Sequence, residues 1–135
     1  MKPELVLETS RLQLRHVVPS DGSFFVRLLN DPSWLENIGD RGIRSQTDAE
    51  RYIRNTVLVQ YQTYGYGMYV VQLKSTTHPI GICGLVQRDF LSAPDLGFAL
   101  LPDYVGQGYA SEAARVLLQH AQNYLGIGRL ERRQR

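Results

Sequence analysis

The sequence has 135 residues, 43% of them hydrophobic and 21% charged. This composition is typical of one globular domain, residues 1–135, and excludes a disordered chain. The formal net charge of +2 resides in the last five residues, so the rest lacks the basic excess that a nucleic-acid-binding face needs.

Cysteine content and hydropathy narrow the class of protein further. Cys83 is the only cysteine, which excludes an intramolecular disulfide and a cysteine-ligated zinc site. No apolar run has the length of a signal peptide core or a membrane span. We therefore expect a cytoplasmic protein without a membrane partner.

The first predicted elements are a strand and a helix. Residues 11–17 alternate polar and apolar side chains, which predicts a half-buried strand. His16 falls on the polar side, where a solvated or hydrogen-bonded histidine is a better interpretation than a catalytic one. Ser20 and Asp21 can cap a helix that runs to Asn30.

A capping box at Thr47–Glu50 predicts a second helix, with the Thr47 hydroxyl on the N3 amide and Glu50 reaching back. This helix runs to about Thr63. Its expected buried face consists of Ala49, Tyr52, Ile53, Thr56 and Val57. A cluster of tyrosines follows, and because no Lys or Arg interleaves with them, packing is favoured over a stacking platform for nucleic-acid bases. The cluster comprises Tyr61, Tyr64, Tyr66 and Tyr69.

Two further strands are predicted at residues 68–73 and 80–86, joined by a polar turn that contains His78. Cys83 lies among small apolar residues of the second strand. An acyl-cysteine is chemically possible there, but a buried thiol with no neighbouring base is usually inert. Strands joined by short turns before one strand–turn–helix unit indicate an α+β fold, with a mostly antiparallel sheet flanked by helices.

The most informative stretch is residues 95–124. An apolar run predicts a strand at 96–101 that ends at Pro102. A turn with Gly106 and Gly108 follows, and then a helix opens whose apolar face includes Ala113, Leu117 and Ala121.

Glycines directly before a helix favour an anion site, because the first amides of a helix have no internal partner and carry partial positive charge. Tyr109, Ala110 and Ser111 would supply those amides. A Walker P-loop is excluded, since the loop has no Lys, and a dinucleotide fold would need further strand–helix units beyond this point. A sharp connection without a ligand is the alternative interpretation.

The segment DLGFALLPDYVGQGYASEA, residues 95–113, resembles the acyl-CoA-binding motif of the GNAT acetyltransferases. It is closest to the branch that acetylates N-terminal amines of ribosomal proteins, the Rim type. Gly108 and Ala110 match the family's motif, and Val105 stands where the family has Gln or Arg. The segments ETSRLQLRHVVPSD and HPIGICGLVQRD are similar to this branch's opening strand and third strand.

The resemblance implies a GNAT-like, acetyl-CoA-dependent N-acetyltransferase without a metal. The amine of a peptide N-terminus or a small molecule would attack acetyl-CoA directly in a ternary complex. Asp95 would act as general base through a water, and a surface Asp in a turn is the equal alternative. Trp34 would line the acceptor entrance or cover the core edge, and Tyr104 is a possible pocket wall. The implied cofactor-binding residues are Phe98, Ala99, Leu100, Gly106, Gln107, Gly108, Tyr109, Ala110 and Ser111.

The family continues beyond this helix with a strand, an Asn-bearing helix and a final strand. Residues 125–130 resemble the approach to that strand, after which the chain ends at Arg135. We therefore expect a C-terminally incomplete domain that lacks the last strands and helix, with a sheet edge open to self-association. The alternative function is a catalytically weak or inactive acyl-CoA-binding or interaction module.

Overall fold

The computed structural model describes residues 4–31, 42–86, 95–123 and 131–132. The strands are β1 (Leu5–Glu8), β2 (Leu12–His16), β3 (Met68–Leu73), β4 (Pro79–Val86), β5 (Asp95–Leu100) and β6 (Glu131–Arg132). The helices are α1 (Gly22–Leu29), α2 (Gln46–Tyr52), a π-helical segment (Ile53–Val57), α3 (Leu58–Tyr64) and α4 (Tyr109–Asn123).

The described strands form one sheet in sequential order, β1 to β6. Each pair from β1 to β5 is antiparallel, whereas β6 runs parallel to β5 and pairs only with Asp95 and Leu96. The predicted α+β fold with a mostly antiparallel sheet is confirmed. Strands β1 and β6 have no counterpart among the elements predicted from sequence, because main-chain pairing can hold strands this short without a long apolar run.

Helices cover both faces of the sheet. Helix α4 packs on one face, where its buried side chains Ala113, Leu117 and Ala121 meet residues of β2, β3, β4 and β5. Helix α1, helix α2 and the π-helical segment pack on the opposite face, around Phe25, Ile53 and other apolar residues. The apolar face predicted for α4 is therefore the face that fixes this helix against the sheet.

Both predicted helix caps differ from the observed ones. The Asp21 carboxylate does not cap α1; it accepts from the Val18 amide at 2.9 Å and binds the Arg15 guanidinium. Helix α2 begins after Ser45, whose hydroxyl accepts from the Asp48 amide at 3.1 Å, so the capping box predicted at Thr47 is wrong. Ser45 lies two residues earlier and offers the same hydroxyl-to-amide bond at the same three-residue spacing.

The π-helical segment alters one face of the second helical region. Thr56, predicted on the buried face, is exposed, whereas Ile53 and Val57 are buried. A π turn adds a residue per turn, so the pattern of buried positions shifts relative to an α-helix.

Tyr61, Tyr66 and Tyr69 pack at the core as predicted, whereas Tyr64 is 40% exposed. The rings of His16, Tyr61 and Tyr69 contact one another, with centroids 4.4 Å apart for His16 and Tyr61, 5.7 Å for Tyr61 and Tyr69, and 5.8 Å for His16 and Tyr69. The His16 ring is therefore part of an aromatic stack, and its Nδ1 lies 3.5 Å from a carboxylate oxygen of Glu4.

Candidate functional site

The loop before α4 has two glycines with left-handed backbone. Gly106 has φ +86° and Gly108 has φ +83°, conformations that residues with a side chain rarely adopt. At Gly106 no described atom, apart from chain neighbours, lies within 4 Å of the position that a Cβ would take. Both glycines are exposed. The loop is therefore an open turn with bare backbone facing solvent, and its shape is not imposed by close packing at Gly106.

Helix α4 begins directly after this loop. Its first main-chain bond runs from the Glu112 amide to the Gly108 carbonyl at 3.1 Å. The amides of Tyr109, Ala110 and Ser111 precede that bond, so they have no acceptor within the helix. Because the buried face of α4 fixes the helix on the sheet, these amides and the positive end of the helix dipole lie in a set position.

The outer edge of β5 is the second part of the site. The Leu101 amide donates to the Ile80 carbonyl at 2.9 Å, so the main-chain groups of Leu101 point toward β4. In an antiparallel pair every second residue points the same way, so the main-chain groups of Ala99 also point toward β4. The same alternation directs those of Phe98 and Leu100 away from β4. Within the described residues, β6 pairs only with Asp95 and Leu96, so the edge at Phe98 and Leu100 has no strand partner there.

Residues from the β1–β2 turn contact the start of α4. Glu112 accepts a hydrogen bond from the Thr9 hydroxyl, and its Oε1 lies 2.8 Å from both Nε and Nη2 of Arg11. The Arg11 guanidinium carbon lies 4.4 Å from the ring centroid of Tyr109, and its Nη2 would be 3.4 Å from a Cβ on Gly108. Sequence reasoning missed this contact because Arg11 and Glu112 are 101 residues apart and no local spacing relates them.

Hydrogen bonds determine the ionisation of Glu112. Desolvation acts to raise the pKa of its carboxyl, but the bonds from Thr9 and Arg11 outweigh it and lower the pKa below the ordinary value. Glu112 is therefore a carboxylate that holds Arg11 next to the glycine loop.

The remaining predicted site residues lie as follows. Asp95 is the first residue of β5, and its main chain pairs with Val86 and Glu131. Tyr104 is half-buried and packs against both sides of the core. Cys83 is buried in β4, and burial raises the pKa of its thiol to about 12. Trp34 lies outside the described residues.

No three His, Cys, Asp or Glu residues in the described ranges are grouped so as to hold a metal ion. A separate cavity of about 300 Å³ opens over α2 and the π-helical segment, lined by Arg51, Tyr52, Asn55 and Thr56 among others. No helix within the described ranges combines the length and apolar character needed to cross a membrane.

The Acetyltransferase (GNAT) domain family matches residues 11–133, and the chain belongs to this family. Membership implies acetyl transfer from acetyl-CoA.

Three similar proteins illustrate the match. The uncharacterized protein YkkB of Bacillus subtilis is 26% identical over 133 residues, which cover 96% of this chain and 76% of YkkB. The structure of a proposed ribosomal-protein-serine acetyltransferase of Vibrio cholerae is 26% identical with a TM-score of 0.77. The match covers 98% of this chain and 75% of the Vibrio cholerae chain. RimL, a ribosomal-protein α-N-acetyltransferase solved with coenzyme A, is 20% identical with a TM-score of 0.77, covering 94% and 72%. RimL, at this identity, supports the fold alone.

Proposed function

We propose that this protein transfers the acetyl group of acetyl-CoA to a primary amine by direct attack in a ternary complex. The observation that carries the proposal is the pair of left-handed glycines, Gly106 and Gly108, set directly before α4 and close in sequence to the open edge of β5. Bare amides at a helix N-terminus suit a diphosphate, and an open strand edge suits an extended amide-containing arm.

The two parts of the site divide the coenzyme between them. The diphosphate lies on the amides of residues 106–111, where the Gln107 side chain is uncharged and its Nε2 donates to the Asp103 carbonyl at 2.9 Å. The pantetheine arm pairs with the main chain of Phe98 and Leu100. Ala99 lies between these two residues, and its main-chain groups point toward β4. Its proposed role is therefore to space Phe98 and Leu100 along the arm, not to pair with the arm itself.

Direct attack is favoured over a covalent acyl-enzyme by the state of Cys83. A nucleophilic cysteine acts as its thiolate, and a thiol that is buried with its pKa raised to about 12 stays neutral at physiological pH. The amine nitrogen therefore attacks the thioester carbonyl carbon itself. The new C–N bond forms, the C–S bond breaks, and coenzyme A leaves as its thiolate, which takes up a proton.

The amine must lose a proton before or during the attack. We assign this step to Asp95, acting through a water, because it begins the strand that carries the pantetheine arm. Trp34 is the proposed acceptor-side residue. These two assignments rest on the family resemblance and are tested by Asp95→Asn and Trp34→Ala, with kcat and the KM for the amine as readouts.

The acceptor is a primary amine, and a peptide α-amine is the first candidate. The Vibrio cholerae and RimL proteins are described by their names as acting on ribosomal proteins, which supports a peptide acceptor. A small-molecule amine is the other candidate. Turnover measured with peptides that differ in their first residue, beside simple polyamines and amino sugars, distinguishes the two.

The glycine loop offers a closely matched binding experiment. Gly106 and Gly65 both have positive φ, +86° and +78°, and neither has a described non-neighbouring atom within 4 Å of its Cβ position. Gly65 ends α3, far along the chain from the loop. Replacing either glycine with Ala imposes a similar backbone cost, of about 1 kcal/mol.

Calorimetric titration with acetyl-CoA should show at least tenfold weaker binding for Gly106→Ala and wild-type binding for Gly65→Ala. Equal affinity of both variants would remove the loop from the coenzyme site. Family membership favours a catalyst over a non-catalytic binding module. Coenzyme binding without transfer to any amine in the panel would reverse that preference.

A further inference from the structure

The guanidinium of Arg11 lies beside the glycine loop and has N–H donors that Glu112 does not bind. Its Nε donates to Glu112 Oε1 at 2.8 Å, and Nη2 lies 2.8 Å from the same oxygen as an ion-pair contact. In the described part of the chain, no acceptor contacts Nη1. The side chain is 44% exposed, so the remaining donors are open to a ligand.

The position of this guanidinium is set by the first turn of α4. Its central carbon lies over the ring of Tyr109, the first residue of the helix, 4.4 Å from the ring centroid, and Nη2 would lie 3.4 Å from a Cβ on Gly108. An anion seated on the amides after Gly108 would therefore lie next to a fixed cation. The loop itself contains no Lys or Arg.

We propose that Arg11 binds the diphosphate of acetyl-CoA and supplies the positive charge that the glycine loop lacks. This inference rests on the proposed function. Arg11, which lies near the N-terminus of the chain, would add a charge-assisted hydrogen bond to those from the main-chain amides of the loop. A guanidinium is suited to this role because it is charged at every physiological pH and its remaining N–H groups can donate to phosphate oxygens.

Thr9 and Glu112 act as positioning residues. Glu112 Oε2 accepts from the Thr9 hydroxyl and, at 3.3 Å, from the Arg11 amide, while Oε1 holds the guanidinium. These bonds tie the β1–β2 turn to the fourth residue of α4. They fix Arg11 before the coenzyme arrives, so less side-chain entropy is lost on binding.

The experiment measures the affinities of coenzyme A and dephospho-coenzyme A by calorimetry, for the wild type and three variants. Arg11→Gln removes the charge, Arg11→Lys keeps it, and Arg27→Gln removes the charge of an exposed arginine on α1, which packs on the opposite face of the sheet. Circular dichroism melts establish that each variant is folded.

We expect Arg11→Gln to weaken binding of both ligands by about tenfold, since both contain the diphosphate. Arg11→Lys should stay within about threefold of the wild type, and Arg27→Gln should match it. The affinity of the wild type should also fall more steeply with salt than that of Arg11→Gln. In turnover, Arg11→Gln should raise the KM for acetyl-CoA and leave kcat within about twofold.

Three results would overturn the inference while leaving the proposed function intact. If Arg11→Gln binds both ligands as tightly as the wild type, Arg11 is not part of the site. Arg11→Lys could lose as much affinity as Arg11→Gln, which makes the fork with Glu112, and not the charge, the important feature. A loss seen with coenzyme A but not with its dephospho form would assign Arg11 to the 3′-phosphate. Absence of binding by the wild type itself would instead reject the proposed function.

Discussion

The side-chain hydroxyl of Tyr61 accepts a hydrogen bond from the main-chain amide of Val17 at 3.0 Å. The same hydroxyl donates to the Met68 carbonyl, so one atom joins the end of β2 to the start of β3. Burial is the main cause that raises the pKa of this hydroxyl above its ordinary value, so it remains a donor at every physiological pH.

Tyr61→Phe should therefore lower the free energy of unfolding by about 1–3 kcal/mol, because it leaves the amide of buried Val17 and the carbonyl of half-buried Met68 without this partner. Tyr64→Phe is the matched control, since Tyr64 is 40% exposed. Urea denaturation of both variants measures the difference. Equal midpoints would show that the Tyr61 hydroxyl bonds contribute nothing to stability.

The N-cap of α2 gives a second prediction, which tests the position of the cap directly. Ser45→Ala should lower the free energy of unfolding by about 1 kcal/mol, since it removes the acceptor of the Asp48 amide. Thr47→Ala should change it by less than about 0.5 kcal/mol, because Thr47 is exposed within the first turn. If thermal melts show a larger loss of stability for Thr47→Ala than for Ser45→Ala, Thr47 and not Ser45 is the N-cap of α2.

A third prediction contrasts a buried ion pair with an exposed one. The Arg15 and Asp21 side chains are 12% and 9% exposed and make two bonds at 2.8 and 2.9 Å. Arg51 and Asp48 are 67% and 37% exposed and lie 3.9 Å apart. Arg15→Gln should cost about 3–5 kcal/mol, because the Asp21 charge stays buried without its partner.

Arg51→Gln should cost less than about 1 kcal/mol, as is typical of surface pairs. Chemical denaturation at low and high salt compares the two variants. A small effect of Arg15→Gln, of the same size as that of Arg51→Gln, would mean that water reaches the Asp21 carboxylate.

Local hydrophobic pattern predicted the elements that position the site. Residues 68–73 form β3 with the predicted bounds, and α4 buries the predicted face of Ala113, Leu117 and Ala121. Strand β3 buries a continuous apolar run and α4 buries one apolar face, so the hydrophobic pattern of the sequence matches the buried positions of the structure. The N-cap of α2 was predicted at the wrong residue, because Ser45 and Thr47 each precede an acidic residue by three positions and the pattern alone does not distinguish them.

Long-range contacts were beyond the reach of this pattern. The contact of Arg11 with Glu112 depends on the β1–β2 turn meeting the start of α4, and no local spacing encodes that meeting. The four residues of β1 are partly exposed and gain their order from pairing with β2. Such features follow from the assembled sheet and not from any single stretch of sequence.

A fourth prediction concerns stability at high pH. Burial raises the pKa of the Cys83 thiol to about 12, whereas an unfolded thiol ionises near pH 8.5. Above about pH 9 the unfolded chain thus releases a proton that the folded chain keeps, so stability falls as pH rises, by up to about 1.4 kcal/mol per pH unit. The loss should continue until the pH reaches the folded pKa.

Cys83→Ala should reduce this dependence between about pH 8.5 and 9.5, where an unfolded tyrosine is still mostly protonated. Urea midpoints at successive pH values give the two slopes. Parallel slopes for wild type and variant would mean that the thiol ionises alike in both states.

The last prediction concerns the order of bond formation. If the amine attacks acetyl-CoA directly, Cys83→Ala should retain kcat within about threefold, because the buried thiol takes no part. Mixing the wild type with acetyl-CoA in the absence of an amine should release no burst of coenzyme A, since no acyl-enzyme forms. A stoichiometric burst that disappears in Cys83→Ala would establish an acyl-cysteine, and the thiol would then have to become accessible during turnover. Rapid-quench measurement of free thiol in the first turnover distinguishes the two routes.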